Sequence, residues 1–235
     1  KSLLNILSKY KIKLISSEGT YKEIKKLKFK CIEVSEYTNF PEILNGRVKT
    51  LHPKIHAGIL SKRQNKSHKK QLIKNNFEEI RVKARLRMLQ MHYDSGVGHI
   101  GGNLSALDAM LYLHHYVMSA EDQFVLSKGH AAGALYVTLW SRGILQESDL
   151  CSFHDDGTLL SGHPPPRRLE GIPVATGSLG HGLPMACGMA LARKLRKQPG
   201  QIFCLCSDGE WQEGSNWEAL IFARHHNLSN LVVLV

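Results

Sequence analysis

The sequence predicts an α/β protein whose larger part is a mainly parallel sheet flanked by helices. Short apolar runs at 122–127, 201–206 and 231–235 alternate with longer helical patterns, which is the order typical of parallel sheets. Residue usage also changes near Ile80-Arg81. Before this point the chain has 16 Lys, 2 Arg and 1 Ala, and after it 4 Lys, 9 Arg and 13 Ala. On an ordinary solvated surface either Lys or Arg serves, so no requirement of folding explains this change in usage. We therefore predict two domains of separate origin, 1–80 and 81–235.

The net charge of +11 belongs wholly to the first segment. That segment has 18 basic and 7 acidic residues, whereas the second has 13 of each. The lysines are scattered, without interleaved aromatic residues or a nucleic-acid-binding motif. We therefore expect a solvated basic surface and no specific nucleic-acid partner. Non-specific contact with polyanions, or attraction of phosphorylated substrates, is the alternative.

Five cysteines are an odd number, and none lies in a CxxC pair, so we expect a reduced, cytoplasmic protein. Cys204 and Cys206 are predicted to lie on one side of a buried strand. No signal peptide or bilayer-length apolar stretch is visible in the sequence, and no membrane partner is expected.

In the first segment, residues 2–10 have helical apolar spacing and 13–16 form a predicted strand. A turn of Ser17, Glu18, Gly19 and Thr20 follows, and a Lys-rich helix is predicted from Tyr21. This order suits a phosphate bound at a helix N-terminus.

Residues 34–60, which include the run Gly-Arg-Val-Lys-Thr-Leu-His-Pro-Lys at 46–54, resemble the IMP cyclohydrolase domain of the bifunctional purine biosynthesis protein. The resemblance implies a partial, methylglyoxal-synthase-like α/β fragment. It also implies that Ser17, Gly19 and Thr20 line a phosphate site, and that Arg47 and Lys49 act on phosphate and on a polarised carboxamide oxygen. Because the rest of that domain is not found within 1–80, we expect no cyclohydrolase activity.

In the second segment, a helix predicted at 81–93 leads into a glycine-rich stretch at 95–105 that contains His99. A helix at 107–117 and the strand at 122–127 come next, followed by Lys128-Gly129-His130. His163 lies in a Ser-Gly-His-Pro motif, and a glycine loop at 176–182 opens an Ala-rich helix at 184–196.

The strand at 201–206 delivers the run Ser-Asp-Gly-Glu-Trp-Gln-Glu-Gly at 207–214, before a helix at 217–226 and the last strand. Asp208 would thus stand at the carboxyl end of a parallel strand. That position places a hard oxygen ligand beside a diphosphate held by backbone amides.

These motifs together resemble the thiamine-diphosphate-binding N-terminal portion of transketolase, above all the forms in which that portion is a separate short chain. The resemblance implies a thiamine-diphosphate-binding fold in which Asp208 ligates Mg²⁺ or Ca²⁺. Cofactor contacts would come from Gly177, Leu179 and Gly209, and Glu213 would lie at a subunit contact that couples paired sites.

The resemblance also implies that His99, His130 and His163 surround the thiazolium ring and the sugar hydroxyls. Imidazole suits this task because it exchanges protons near neutral pH, while the cofactor's carbanion makes and breaks the carbon bond. Surface or structural roles are predicted for His92, His114, His115, His154, His225 and His226, and a variable contact for His181.

The implied reaction moves a two-carbon ketol unit between sugar phosphates. The resemblance also implies a homo- or hetero-oligomer with a partner subunit that supplies the pyrimidine domain. It further implies a second metal ligand beyond Val235. We therefore expect the isolated chain to be inactive. Alternatives are 1-deoxyxylulose 5-phosphate synthase, a dehydrogenase E1 subunit, and a basic nucleic-acid-binding module. The union of the two segments is interpreted as a chimera made by misassembly or recombination.

Overall fold

The computed structural model describes residues 2–10, 12–16, 18–38, 66–165 and 169–235. The chain divides into two compact units, Lys1–Asn75 and Asn76–Val235. The boundary falls within a long helix, Lys66–Ser95, so the helix predicted from residue 81 begins 15 residues earlier than expected. Once a helix is nucleated, each added residue gains one hydrogen bond for the one residue that is fixed, so extension is easier than starting a new helix.

The first unit contains a two-stranded parallel sheet in which Ile15 pairs with Ile32. Ile24, Cys31 and Val34 are its buried apolar residues within the described ranges. Its elements are α1 (Ser2–Lys9), β1 (Ile15–Ser16), α2 (Glu18–Lys26), β2 (Ile32–Glu33) and α3 (Val34–Thr38). The predicted helix at 2–10 is confirmed, whereas only Ile15–Ser16 of the strand predicted at 13–16 form a strand.

The second unit is built on a parallel sheet with strand order β3-β4-β5, in which Gln123 pairs with Ile202 and Ile202 with Leu231. Its elements are α4 (Lys66–Ser95, shared with the first unit), α5 (Ile100–Tyr112), a π-helical turn (Leu113–Val117), β3 (Gln123–Leu126), a 3₁₀ turn (Gly129–Ala131), α6 (Ala132–Ser141), α7 (Glu147–Cys151), α8 (Gly182–Leu195), β4 (Ile202–Leu205), a second 3₁₀ turn (Gly209–Gln212), α9 (Gly214–His225) and β5 (Leu231–Leu234).

Apolar layers cover both faces of this sheet. Alternate residues of β3 point to opposite faces, as the pleat requires, so Phe124 and Leu126 join one buried cluster while Val125 joins the other. Cys204 and Cys206 belong to the second cluster, with their sulfur atoms 3.9 Å apart. Their predicted placement on one side of a buried strand is confirmed, and the α/β class with it.

The second half of the glycine-rich stretch at 95–105 is helical. Helix α5 begins at Ile100 and includes Gly101 and Gly102. The helix predicted at 107–117 therefore starts seven residues earlier and ends in the π-helical turn. Packing of Ala106, Leu107 and other buried residues of α5 overrides the low helix propensity of glycine.

Candidate active site

The predicted histidines His99, His130 and His163 line one cavity of about 390 Å³ in the second unit. The imidazole ring centroids of His99 and His130 lie 5.5 Å apart. His99 precedes α5, and His130 lies in the 3₁₀ turn that follows β3. The cavity is also lined by His92, Val97, Gly98, Asn103, Gly133, Phe153, His154 and Gly162.

Asn103 holds the backbone of two of these histidines and was not predicted from the sequence. Its amide nitrogen donates to the carbonyl oxygens of His99 at 3.0 Å and of His130 at 3.2 Å. Its side-chain oxygen accepts from the Ala134 N–H at 2.6 Å. Because Asn103 is 1% exposed, these bonds form away from competing water, and they connect α5, the 3₁₀ turn and α6.

Tyr136 plays the corresponding part for His163. Its buried hydroxyl lies 2.8 Å from the Ser161 carbonyl oxygen, to which it donates, and 3.2 Å from that of His163. Burial raises the pKa of the Tyr136 phenol far above its ordinary value, so the hydroxyl remains a donor. Asn103 and Tyr136 lie in helices whose apolar spacing gives no sign of a polar task.

Four of the imidazoles rest directly on glycine residues. A methyl group added at Gly102 would lie 2.9 Å from Cδ2 of His130, and one at Gly133 would lie 2.6 Å from Cε1 of His92. The same holds for Gly177 beneath His163, where the distance to Cδ2 would be 3.2 Å, and for Gly162 beneath His154. The glycines of this region thus provide the space that the imidazole rings occupy.

Burial lowers the pKa of the His130 imidazole below its ordinary value, and nearby His99 and Lys128 lower it further, while Glu210 acts in the opposite direction. The ring is therefore neutral at pH 7, with one nitrogen able to donate a hydrogen bond and the other able to accept one. Such a group can take a proton from a hydroxyl and return it.

The predicted cofactor contacts lie beside this cavity, at the carboxyl ends of β3 and β4. Gly177 of the glycine loop contacts two parts of the site, since a methyl group added at Gly177 would lie 3.2 Å from Cδ2 of His163, and one added at Gly129 would lie 2.7 Å from the Gly177 backbone nitrogen. The Thr176 hydroxyl anchors the loop by donating to the Leu126 carbonyl oxygen at 2.6 Å. Leu179 of the same loop is 38% exposed.

Asp208 follows β4 and is exposed, and one of its oxygens accepts from the Gly209 N–H at 2.9 Å. The described residues contain no group of three or more His, Cys, Asp or Glu side chains arranged around a metal. A lone carboxylate still suits Mg²⁺, which keeps several waters and takes oxygens from a bound phosphate group. The site therefore fits Mg²⁺ with a diphosphate and is unsuited to a metal held by protein ligands alone.

Glu210 is the most buried acidic residue of the site, and sequence reasoning missed it. Its carboxylate accepts from the Ser127 hydroxyl at 2.7 Å, the Ser207 N–H at 2.8 Å and the Gly180 N–H at 3.1 Å. These partners come from three separate loops. Glu210 is 0% exposed. The sequence does not show this, because a buried glutamate directly after Asp208-Gly209 looks the same there as a solvated one.

Lys128 contributes a buried positive charge to the same edge of the sheet. It is 8% exposed, and burial lowers the pKa of its ammonium group, while Asp208 and Glu210 raise it. An ammonium group that interacts electrostatically with Asp208 suits a negatively charged phosphate ligand at this site.

Glu213 precedes α9 and packs against the glycine loop, since its Cβ would lie 2.6 Å from a methyl group added at Gly180. It is exposed and does not line the histidine cavity. Its predicted role at a subunit contact stays a prediction.

A larger cavity of about 920 Å³ lies at the opposite edge of the sheet, beside Asp122 and Gln123 at the start of β3. The described residues that line it include none of the predicted site residues. Ligands of parallel α/β sheets bind at the carboxyl ends of the strands, so we assign the site to the smaller cavity.

Of the residues predicted to bind phosphate in the first segment, Ser17, Arg47 and Lys49 lie outside the described residues. Gly19 and Thr20 are exposed and belong to the first turn of α2. The prediction that the helix begins at Tyr21 is therefore wrong by one turn, because helix growth toward the N-terminus overrides the preference of glycine for turns.

Within the described ranges, no helix is long and apolar enough to cross a membrane.

Comparison with known proteins gives two family matches. Residues 85–235 match the transketolase, thiamine diphosphate binding domain, and residues 2–86 match the MGS-like domain. One subunit of the apulose-4-phosphate transketolase of Phocaeicola vulgatus is 39% identical over 162 residues, which cover 65% of this chain and 57% of that protein. Human transketolase is 38% identical over 177 residues, which cover 71% of this chain and 28% of that protein.

Solved structures agree with this similarity. Transketolase from Leishmania mexicana matches with a TM-score of 0.62 and 29% identity, over 67% of this chain and 26% of that one. Transketolase from Campylobacter jejuni matches with a TM-score of 0.60 and 30% identity, over 67% and 28%. The chain thus spans about a quarter of these full-length proteins and just over half of the Phocaeicola vulgatus protein.

Proposed function

Since this chain belongs to the family of transketolase thiamine diphosphate-binding domains, we propose that it is the cofactor-binding portion of an enzyme that transfers a two-carbon ketol unit between sugar phosphates. The observation that carries this proposal is the position of Gly177. This residue lies in the predicted cofactor loop, and His163 of the imidazole cavity rests on it. Cofactor loop and proton-transferring side chains therefore meet at one residue.

The chain's own residues would hold thiamine diphosphate with Mg²⁺ at this edge of the sheet. Asp208 would supply a metal ligand, the backbone of Gly177, Leu179 and Gly209 would contact the cofactor, and Lys128 would balance the diphosphate charge. When bound, the cofactor supplies a stabilised carbanion equivalent for making and breaking the carbon–carbon bond.

The histidines would handle the protons of the substrate hydroxyls. His130, neutral at pH 7, would accept a proton from a hydroxyl and return it, and His99 and His163 would orient the sugar by donating or accepting hydrogen bonds. Asn103 and Tyr136 would keep these rings in place through their bonds to the histidine backbone.

We propose a partner subunit that provides the pyrimidine-binding domain, within a homo- or hetero-oligomer in which Glu213 lies at a subunit contact. Supporting this, relatives that match much of this chain are named as subunits, as in the Phocaeicola vulgatus protein.

A cytoplasmic location is also proposed. It is supported by the five cysteines, all of which are unpaired, including Cys204 and Cys206, whose sulfur atoms lie 3.9 Å apart. Unpaired cysteines are typical of proteins in reducing compartments.

The test is thermal unfolding of the purified chain with thiamine diphosphate, with and without Mg²⁺. Cofactor at 100 times its Kd should stabilise the fold by about 2.7 kcal/mol. D208N should abolish the part that depends on Mg²⁺, whereas D156N, at an exposed residue outside the site, should not. An unchanged transition at saturating cofactor would refute the proposal.

For residues 1–80 we propose an IMP cyclohydrolase-like segment joined to the second segment as a chimera. The MGS-like match and the change in Lys, Arg and Ala usage support it. Amplification of the source DNA across codons 80 and 81 tests the junction. A continuous product would exclude misassembly and leave recombination, whereas two products that each extend into a separate gene would demonstrate misassembly.

A further inference from the structure

The cavity that contains the three predicted histidines holds two further imidazoles, those of His92 and His154. His92 is 6% exposed and His154 is exposed. Burial is the main cause that lowers the pKa of His92, and the charge of His154 also contributes, so the two rings lie within electrostatic range of each other. Neither is a residue for which the motifs predicted a task.

The way in which these two rings are accommodated matches that of the predicted site histidines. His92 rests on Gly133 of α6, and His154 rests on Gly162, immediately before His163. His130 and His163 rest on Gly102 and Gly177 in the same manner. A methyl group at any of these glycines would collide with or crowd the ring, so the chain preserves space for four imidazoles in one cavity.

One ring nitrogen of His92 has no hydrogen bond to the described part of the chain. Its Nδ1 lies 2.9 Å from the Met88 carbonyl oxygen, and a carbonyl can only accept. Nδ1 therefore carries the proton, and Nε2, which lies beside Gly133, is an acceptor.

The position of His154 is set by its backbone and by contacts of its ring, whose Nε2 lies beside Gly162. Its backbone N–H donates to the Leu160 carbonyl oxygen at 2.9 Å, and buried Phe153 packs edge-on against its ring at 5.3 Å. Its backbone has a φ of 71°, a left-handed conformation uncommon for a residue with a side chain. Within the described part of the chain, no hydrogen bond involves its ring nitrogens.

We infer that His92 and His154 are substrate-binding residues, and that with His99, His130 and His163 they form a wall of imidazoles that binds the hydroxyl groups of an extended sugar phosphate. This inference rests on the proposed function. A neutral imidazole offers one donor and one acceptor, which is the complement of a hydroxyl group, and His92, whose Nδ1–H is bound to Met88, offers its Nε2 acceptor. The described residues that line the cavity include no carboxylate, so nothing there repels the phosphate of such a ligand.

The experiment is a titration of the ¹⁵N-histidine-labelled chain with D-ribose 5-phosphate, followed through the imidazole nitrogen signals, with inorganic phosphate as a parallel titration. H154G removes the ring and retains the left-handed backbone, and H154N retains that backbone with a smaller polar group. H225N changes an exposed imidazole on α9, outside the cavity, and is the matched control. Cofactor-dependent thermal stabilisation is measured on every variant.

We expect ribose 5-phosphate to shift the signals of all five cavity histidines, and H154G to weaken its binding about tenfold, because it removes one hydrogen bond to a ligand hydroxyl. H154N should fall between H154G and the unaltered chain, and H225N should have no effect. Shifts confined to His99, His130 and His163, or equal shifts with inorganic phosphate, would overturn the inference. Shifts of all five without any cofactor stabilisation would support it while refuting the proposed cofactor site.

Discussion

The Ser127 hydroxyl donates a 2.7 Å hydrogen bond to the buried carboxylate of Glu210, 83 residues further along the chain. Ser127 follows β3, and Glu210 lies in the 3₁₀ turn after β4. The same carboxylate accepts from the N–H of Gly180 in the glycine loop. One side chain thus joins the loops that carry His130, Gly177 and Asp208.

Removal of this carboxylate should destabilise the second unit. E210A leaves the Ser127, Ser207 and Gly180 donors unpaired in a dry site, and we expect a loss of about 2–4 kcal/mol in the free energy of unfolding. E210Q keeps one acceptor oxygen but turns an N–H₂ group toward a donor, so its loss should be smaller. Urea unfolding measures both.

The matched control is E218A, which removes an exposed carboxylate on α9 and should change the unfolding free energy by less than about 0.5 kcal/mol. Equal losses in E210A and E218A would show that the bonds of Glu210 contribute nothing specific.

Neighbouring glycines on α5 should respond in opposite ways to the same substitution. G101A meets nothing within 4 Å and should stabilise the fold by about 0.5–1 kcal/mol, because alanine loses less backbone entropy in a helix. G102A places a methyl group 2.9 Å from the His130 ring and should displace it.

The imidazole signals of His130 in a ¹⁵N-histidine-labelled sample report this displacement. We expect a change with G102A and none with G101A. An unaltered His130 environment in G102A would mean that the ring does not depend on this glycine.

Stability should fall with acid because of His114. Burial lowers the pKa of this imidazole to about 4, and Arg142 and His115 add to the effect. In the unfolded chain the His114 imidazole has its ordinary pKa near 6.5, so it binds a proton more readily there than in the folded state. The stabilisation is therefore complete above pH 6.5 and is lost as the pH falls from 6.5 to 4, by about 3 kcal/mol in total.

H114F keeps an aromatic ring against Phe124, whose centroid lies 5.1 Å from that of His114, and removes the titrating group. Urea unfolding at pH 7 and pH 4.5 should show a smaller difference for H114F than for the unaltered chain, and H225F, at an exposed position, should show no such change. An identical pH dependence in H114F would contradict the assignment.

Asn103 should be essential to the arrangement of the histidines. N103A removes three hydrogen bonds from a residue that is 1% exposed, and a loss of about 2–4 kcal/mol is expected. S105A on the same helix removes one exposed bond and should cost about 0.5 kcal/mol or less. Thermal unfolding compares the two, and a similar effect of both would argue against the role of Asn103.

Much of the site could be predicted because its motifs are local. His99, His130 and His163 each adjoin glycines within a few residues, and Asp208 directly follows an apolar run that forms β4. Element boundaries were less predictable, as the early starts of α4 and α5 show. In α5, packing of buried residues such as Ala106 and Leu107 outweighs the glycines at its start, whereas α4 continues toward its N-terminus with described side chains that are exposed or half-buried.

The sequence by itself determined the parallel α/β class, the strands that end at the site, and the motif residues that lie at those ends, because periodicity and glycine placement are properties of short segments. Only the tertiary structure decided that Asn103, Tyr136 and Glu210 hold the site together, and that His92 and His154 share its cavity. These side chains act through partners on other elements, such as Ser127 for Glu210 and Ser161 for Tyr136. Burial and hydrogen bonding between distant residues arise from folding and leave no local pattern in the chain.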